Sequence, residues 1–511
     1  MDKNYRFQYD YLNSTSDLIK DYINQADNLK SFVNHFPTIE NFGKQINLKS
    51  KYKINRNILF NVIKSQNKNL VLSEESNKNI NLIKCDNTFT ITTGHQLCLC
   101  TGPVFFIYKI FSVINLVKKI KVNYPDYNFI PIFWMASEDH DFEEINHFNF
   151  FGKKIVWDNG SQSGAVGRMS LYNINNVLEE IKDDLVGNKN GLYIFNLLKK
   201  TYQNHQNLAD ATRYLINELF GKYGLVIVDG DDKRLKKCLV NVIKKDIVRQ
   251  GFYEALKKSS DKISKVYKLQ ALVKENNFFE LTENNRIKIN KNSFKKIDSN
   301  PEIFSPNVLL RPLYQEMILP NICYVGGPSE VSYWLQLKEM FDQEKVPFPI
   351  IILRDTVFIA KEKNLKRFKD LGFNIMDIFK HEHLLQKEYV TSKSSLNDLL
   401  NTEKEEIRFI YKKILDKNIE KSLIPNVNAL LKKQLNALEN IESKIIRSLK
   451  QKNVDAVNFI SKIKNNFFPK NTTQERYESF ITFYLRYGDG FMNIIEQNID
   501  ALDPNFVILK K

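Results

Sequence analysis

Five apolar or β-branched runs limit the folds open to this chain more than any other feature. They are Phe89–Thr93, Phe129–Met135, Leu225–Asp229, Ile322–Val325 and Pro349–Leu353. Their interiors are continuously apolar or β-branched rather than alternating with charge. That is the pattern of strands covered on both faces, as in parallel sheets. Between the first two, a helical pattern from about Pro103 to Lys119 is long enough for the crossover that parallel strands need. The expected fold class is therefore α/β with a parallel-sheet core. With 43% apolar and 12% aromatic residues, the chain has material for large cores, which excludes a disordered protein. Its 511 residues suit about three modules.

The pattern divides as follows. Residues 1–151 form the first half of the core, 152–300 a connecting insertion with one core strand near 225–229, and 301–384 the second half. From 385 to 465 the character changes. Leu431, Leu435, Leu438, Ile441, Ile445 and Leu449 recur at helical spacing, after an earlier helix around Glu403–Leu415 and a break near Pro425. This predicts a hairpin arm of long helices. Residues 466–511 begin with a turn at Pro469 and continue as an aromatic-rich helix, expected to pack back on the core or on a partner.

The net charge of +16 invites a nucleic-acid reading, but it divides into 61 Lys and only 14 Arg. Bidentate phosphate and base recognition favours Arg, so no nucleic-acid partner is expected. The most apolar window, Val104–Val117, is too short for a membrane span and contains Lys109, and no signal segment opens the chain. Five cysteines without a CxxC pair fit a reducing cytoplasm and no thiolate zinc site. A cytoplasmic globular protein with no membrane partner is the expectation.

Chemistry-bearing residues gather at the ends of the apolar runs. After the first comes TTGHQLCLCTGP, where Gly94, His95 and Gln96 stand at a strand end and Thr101 and Gly102 open the next helix. A helix N-terminus in that place offers N–H groups to an anion, and Thr101 either caps it or donates to phosphate. After the second comes SEDHDFEEINH, with Glu138, Asp139, His140 and Asp141. If helical, His140, Glu143, Glu144 and His147 share a face. Metal ligation, acid–base work or capture of an amine all fit, and no metal set is assigned because no third ligand group is evident. In SPNVLLRPLYQ, Asn307 belongs to a turn and Arg311, outside a regular helix interior, suits a carboxylate or phosphate. In YVGGPSEVSYWL, Gly326 and Gly327 allow close backbone approach. Glu330 there suits an amine or a ribose hydroxyl, and Tyr333 can wall a base or sugar. Arg354 follows the last run. Strand ends of a parallel sheet converge on one edge, so these signals reinforce one another. No GxxxxGK or GxGxxG occurs, which argues against a P-loop enzyme and a dinucleotide oxidoreductase.

The succession TGHQ…TGP, FWMASEDHDFEEINH, SPNVLLRPLYQE…LPN and YVGGPSEVSYW, followed by FFP…QER…YG, resembles the cysteine-adding enzyme family of bacillithiol biosynthesis. The motifs run in order over about four-fifths of the chain. The resemblance implies a Rossmann-like core with connecting insertions, a helical coiled-coil arm that pairs two subunits, and addition of L-cysteine to glucosaminyl-malate as the last step of the pathway. It also implies that the residues just named form the site, with His95 and Glu138–Asp141 as the catalytic set. Cys98 and Cys100 stand where the family is expected to carry ordinary apolar or small residues. Amide formation requires an activated carboxylate, which calls on ATP or another nucleotide, and a neutral amine, which calls on a base among Glu138–His140. On this reading the malate carboxylates go to Arg311, Arg354 or a helix N-terminus, and Glu330 holds the cysteine amine. Two other classes compete: a class I synthetase-like enzyme or nucleotidyltransferase acting on another acceptor, and a non-catalytic protein that binds through its helical arm. TTGHQ holds only half of an HxGH-like signature, and no KMSKS-like loop follows, which weighs against the former.

Overall fold

A computed structural model of the chain describes residues 4–12, 14–283, 285–394, 399–417, 419–503 and 505–511. The chain forms two compact units, the larger built from Tyr5–Val357 and Glu475–Val507 and the smaller chiefly from Phe358–Gln474.

The larger unit is organised by β1 (Thr88–His95), α1 (Phe105–Asn123), β2 (Asn128–Met135), the hairpin β3 (His147–Phe150) and β4 (Lys153–Val156), and β5 (Val226–Asp229). There follow β6 (Phe278–Leu281), β7 (Arg286–Lys288), β8 (Phe304–Pro306), α2 (Arg311–Ile318), β9 (Asn321–Gly326), α3 (Pro328–Leu335) and β10 (Ile350–Leu353). The five strands expected from the apolar runs make one sheet in the order β10-β9-β1-β2-β5, and every pairing in it is parallel. The chain steps outward from β1 to β2 to β5, then returns to lay β9 and β10 on the other side of β1. The order therefore reverses between β1 and β9, the point at which open α/β sheets bind ligands.

The sheet is covered on both faces, as the continuous runs predict. Ile91, Phe129, Ile322, Val325, Ile350 and Ile352 pack with Val113, Leu116 and Ile120 of α1 in one core, while Ile130, Ile132, Val226, Tyr324 and Ile351 belong to the other. A polar seam runs through this apolar setting. Thr90 and Thr92 hydroxyls donate to Asn321 Oδ1 at 3.2 and 2.8 Å, and Asn321 Nδ2 donates to Glu316 at 2.6 Å. Lys49 Nζ donates to the Glu316 carbonyl at 2.7 Å. Each buried polar group has a partner, so the seam fixes β1 against β9 without leaving an orphaned charge.

The segment Ser137–His147 departs from the helical expectation. Only Phe142–Ile145 is helical, and His147 begins β3, so the shared face of His140, Glu143, Glu144 and His147 does not form. The alternation His147-Phe148-Asn149-Phe150 buries both phenylalanines, and that period-two pattern prevails over the helical one. Arg311 also departs from expectation: it is the first residue of α2, with Pro312 in the first turn where its missing N–H costs nothing.

In the smaller unit, α4 (Glu382–Ser392), α5 (Asn401–Leu415), α6 (Ile424–Lys452) and α7 (Val454–Phe467) form the arm. Pro425 sits in the first turn of α6, where it begins the long helix. Glu442 binds Lys387 of α4 at 2.8 Å and also pairs with Lys404 of α5. Among the described residues of α6 only Glu442 is buried, and Ile441 remains half exposed. Among the described residues, no helix is long and apolar enough to cross a membrane.

Candidate active site

Two groups of charged side chains meet at the carboxyl edge of the sheet, one on each side of the end of β1. On the β9 side the centre is Glu330, at the start of α3. Its Oε1 accepts from the Tyr324 hydroxyl at 2.5 Å, and its Oε2 accepts from the Gly327 N–H at 2.8 Å and pairs with Lys109. Lys109 comes from α1, is 2% exposed, and also donates to the carbonyl of Gly94 at 2.5 Å. Burial opposes ionisation of Glu330, but Lys109 and the two hydrogen bonds outweigh it and hold its carboxyl below the ordinary range. Burial lowers the Lys109 pKa in turn. Glu330 was expected to take an amine, and three of its acceptor positions are already filled within the chain.

The glycines are required here by close approach. A Cβ on Gly94 would lie 3.3 Å from the Tyr324 hydroxyl and 3.4 Å from the Trp134 carbonyl, and one on Gly326 would lie 2.9 Å from Glu330. Arg311 reaches Gln315 Oε1 at 3.0 Å and the Tyr333 hydroxyl at 3.4 Å, with its guanidinium 5.6 Å from the Tyr324 ring centre. Asn307 stands behind it. Its Oδ1 accepts from the N–H groups of Leu309 and Leu310 and its Nδ2 donates to Asn277, so it caps the turn that delivers Arg311. Arg354, 1% exposed, grips Glu475 through two bonds of 2.9 and 2.7 Å and lies 4.7 Å from the Phe105 ring centre.

On the β2 side, Asp139, His140 and Asp141 lie on a loop. His140 Nδ1 is 3.5 Å from Asp139 Oδ1 and its Nε2 is 3.6 Å from Asp141 Oδ1. Gln96 donates to Asp139 at 3.0 Å and to Glu144 at 2.7 Å. Arg286 of β7 approaches to 3.4 Å from His140 Nδ1 and 3.8 Å from Asp139 Oδ1. One potential ligand atom from each of Asp139, His140 and Asp141 lies within 4.8 Å of the others, spacing that would admit a metal ion, but Arg286 already supplies a cation to this group. Glu138 is set apart from its neighbours. It pairs with Lys236, whose fully buried ammonium also donates to the carbonyls of Phe304 at 2.9 Å and Glu302 at 3.3 Å. Burial raises the Glu138 pKa against the pull of Lys236. This pair ties the loop after β2 to the insertion.

Between the groups stands His95, the last residue of β1. Its ring is packed by Phe105 at 5.3 Å and Phe106 at 5.2 Å, and its Nε2 is 3.9 Å from Cys98 Sγ. Burial, and behind it the Lys109 ammonium, push its pKa down to about 3, so it is neutral at physiological pH. Burial pushes the thiols of Cys98 and Cys100 up to about 12, which leaves neither as a ready nucleophile. The following loop is strained. Cys100, Thr101 and Gly102 take φ of 51°, 67° and 65°, and Thr101 Oγ1 is buried without a hydrogen-bond partner. The helix start expected to be open to an anion is not fully open, because the Val104 N–H donates to Glu478 O at 2.7 Å.

The site thus brings together Gly94, His95, Gln96, Gly326, Gly327, Glu330, Arg311, Tyr333, Arg354 and the Asp139–Asp141 loop. It adds Lys109, Tyr324, Lys236, Arg286 and the pair Glu475 and Arg476. Lys109 had a legible signal, the single Lys within the apolar window Val104–Val117 that follows a strand-end turn. Glu475 and Arg476 enter from over a hundred residues beyond β10, and no local pattern places them there.

Two family models match the chain, and so do relatives from several bacteria. A model described as the BshC N-terminal Rossmann-like domain of bacillithiol biosynthesis covers residues 6–355, and one described as the BshC C-terminal coiled-coil domain covers residues 357–511. Proteins of Flavobacterium johnsoniae and Flavobacterium psychrophilum are 41% and 42% identical, each match covering 97% of both chains. One of Christiangramia forsetii is 38% identical over 98% of both chains. All three carry the provisional name cysteine ligase BshC.

The depressed His95 pKa makes a testable statement about stability. The folded chain resists protonation there while the unfolded chain protonates near 6.5, so the contribution is complete above 6.5 and drains as pH falls toward about 3. Urea unfolding of the His95→Gln variant should gain on the wild type by about 1.4 kcal/mol per pH unit below pH 6. A difference that stays constant from pH 7 to pH 4.5 contradicts this assignment.

Proposed function

The chain belongs to the BshC family of bacillithiol biosynthesis, and from that membership we propose that this ligase joins the carboxyl group of L-cysteine to the amine of glucosaminyl-malate, the last step of the pathway. The observation that carries the proposal is the division of charge across the end of β1. On the β2 side Asp139, Asp141 and Glu144 outnumber Arg286, and on the β9 side Arg311, Arg354 and Lys109 outnumber Glu330 and Glu475. An acceptor with an amine at one end and carboxylates at the other matches that polarity. A substrate of uniform charge does not.

In this reading the glucosaminyl amine enters beside Asp139 and Asp141, and His140 takes its proton as the new C–N bond forms. Glu138, held by Lys236, fixes the loop that carries His140, so the base is sought at His140 rather than at Glu138. His95, neutral and half-buried at the strand end, is suited to hydrogen-bond the reacting carbonyl. A nucleotide such as ATP supplies the leaving group that makes the cysteine carboxyl reactive. The residues fitted to accept its phosphates are those of the strained loop ending at Gly102, where Thr101 Oγ1 has no hydrogen-bond partner among the described residues. The protein is proposed to act in the cytoplasm.

Purified protein given glucosaminyl-malate, L-cysteine and ATP should yield bacillithiol by mass spectrometry, and none when any one is omitted. His140→Asn should lower kcat by about 100-fold or more while KM for glucosaminyl-malate holds. Full activity in that variant removes His140 from the mechanism, and absence of product from the wild type refutes the substrate assignment. The exposed apolar positions of α6, Leu430 and Ile441, support a second copy of the chain as their cover. Leu430→Lys with Ile441→Lys should convert a dimer to a monomer in sedimentation, and a wild-type monomer would rule the pairing out.

A further inference from the structure

Four cations stand on the β9 side of the sheet edge where the strand order reverses, the crevice position of open α/β sheets, and among the described residues only two of them have a counter-ion. Lys109 is paired with Glu330, and Arg354 with Glu475. Among the described residues Arg311 has only the neutral hydrogen-bond partners Gln315 and Tyr333. Arg476 forms no ion pair among the described residues. Its guanidinium lies 5.8 Å from the centre of the same Phe105 ring that Arg354 flanks, and its side chain is exposed. Arg311 and Arg476 both lie within electrostatic reach of Glu330, which is thus common to the surroundings of both. The crevice therefore holds a surplus of two positive charges.

The placement of Arg476 is built rather than incidental. The fork of Arg354 on Glu475 fixes the preceding residue, with both side chains almost wholly buried. Just beyond, Asn149 Nδ2 donates to Tyr477 O at 3.1 Å, Val104 N–H to Glu478 O at 2.7 Å, and Ser479 N–H to Asn149 O at 3.1 Å. The backbone on both sides of Arg476 is thereby pinned against α1 and β3, while its own side chain is left to the crevice. Keeping an unneutralised guanidinium beside Arg354 costs free energy: although solvent reaches its tip, partial desolvation by the surrounding groups, and then that neighbouring charge, press its pKa below the usual arginine range. A second polar group in this region is also unused, since Arg354 Nε is buried without a partner and lies 3.9 Å from where a side chain on Gly327 would begin.

We propose that Arg476 is a substrate-binding residue that takes the methylene-linked carboxylate of the acid end of the acceptor, Arg311 taking the other, and that it sets selectivity for a dicarboxylate over a monocarboxylate. The inference rests on the amide-ligase reading above and deepens it. A guanidinium with no internal counter-ion binds a carboxylate by a charge-assisted fork, and removing it forfeits that bond without disturbing the fold.

Steady-state kinetics with glucosaminyl-malate and with glucosaminyl-lactate, which lacks one carboxylate, tests this. Arg476→Gln should raise KM for glucosaminyl-malate by about 30-fold while kcat and KM for L-cysteine stay within about twofold. The same variant should leave KM for glucosaminyl-lactate nearly unchanged, and Arg476→Lys should recover part of the loss. An unchanged KM for glucosaminyl-malate, or an equal loss with both acceptors, overturns the assignment. If the wild type makes no amide at all, the functional reading fails separately. Calorimetric titration with L-malate and L-lactate, which needs no turnover, then decides the role of Arg476. Malate affinity at least about tenfold weaker in Arg476→Gln, with lactate unaffected, supports it, and equal malate affinities refute it.

Discussion

The contact between Lys109 and Glu330 is the interaction on which the rest of the site depends. Lys109 belongs to the helix that follows β1 and Glu330 to the helix that follows β9, the two strands between which the sheet reverses its order. The pair therefore joins the two halves of the core at the point where they open a crevice. Desolvating both charges is costly, and the geometry compensates by filling the remaining positions. Lys109 also reaches the Gly94 carbonyl, and Glu330 accepts from Tyr324 and Gly327. Losing either partner leaves a buried charge unmet, at a cost of about 3–5 kcal/mol. The glycines at 94 and 326 follow from the same contact, because side chains there would intrude on Tyr324 and Glu330.

Around that fixed point the charges are arranged by sign. Beyond the strands that step outward from β1 carboxylates outnumber the cations, and beyond the strands that return to the other side the arginines and Lys109 outnumber Glu330 and Glu475. The alternation of the site's chemistry thus follows the topology of the sheet. Buried pairs such as Lys236 with Glu138 and Arg354 with Glu475 hold loops in place, while His140 and Arg476 are exposed and, on the proposed reading, are the groups that meet the ligand. A pair buried within the chain contributes rigidity, and an exposed charged group is available for binding. That distinction separates residues of identical type.

The sheet was legible because continuous apolar runs leave few alternatives, and all five became parallel strands. The glycine turns were legible for a similar reason, since a strand stopping at Gly94 or Gly326 needs a close backbone approach. The failures were local competitions and long-range contacts. In Ser137–His147, charge spacing suggested a helical face, but burying Phe148 and Phe150 required a strand. Arg311 read as irregular because a proline follows it, yet proline fits the opening turn of a helix. Glu138 looked like the equal of its three neighbours, and only the distant Lys236 distinguishes it. Arg476 is far along the chain from every group it joins. The bulk charge of +16 conveyed little, because most of it is surface Lys, whereas two arginines without counter-ions carry the binding argument.

The central claim is that the crevice binds its acceptor in one orientation, amine toward the end of β2 and acid toward the end of β9. A crystal structure of the full chain with glucosaminyl-malate tests it most directly. The account predicts the malate carboxylates against Arg311 and Arg476, with the glucosamine amine within hydrogen-bonding reach of the Asp139–Asp141 loop. A ligand bound in the reverse orientation, or bound away from the junction of β1 and β9, would contradict it.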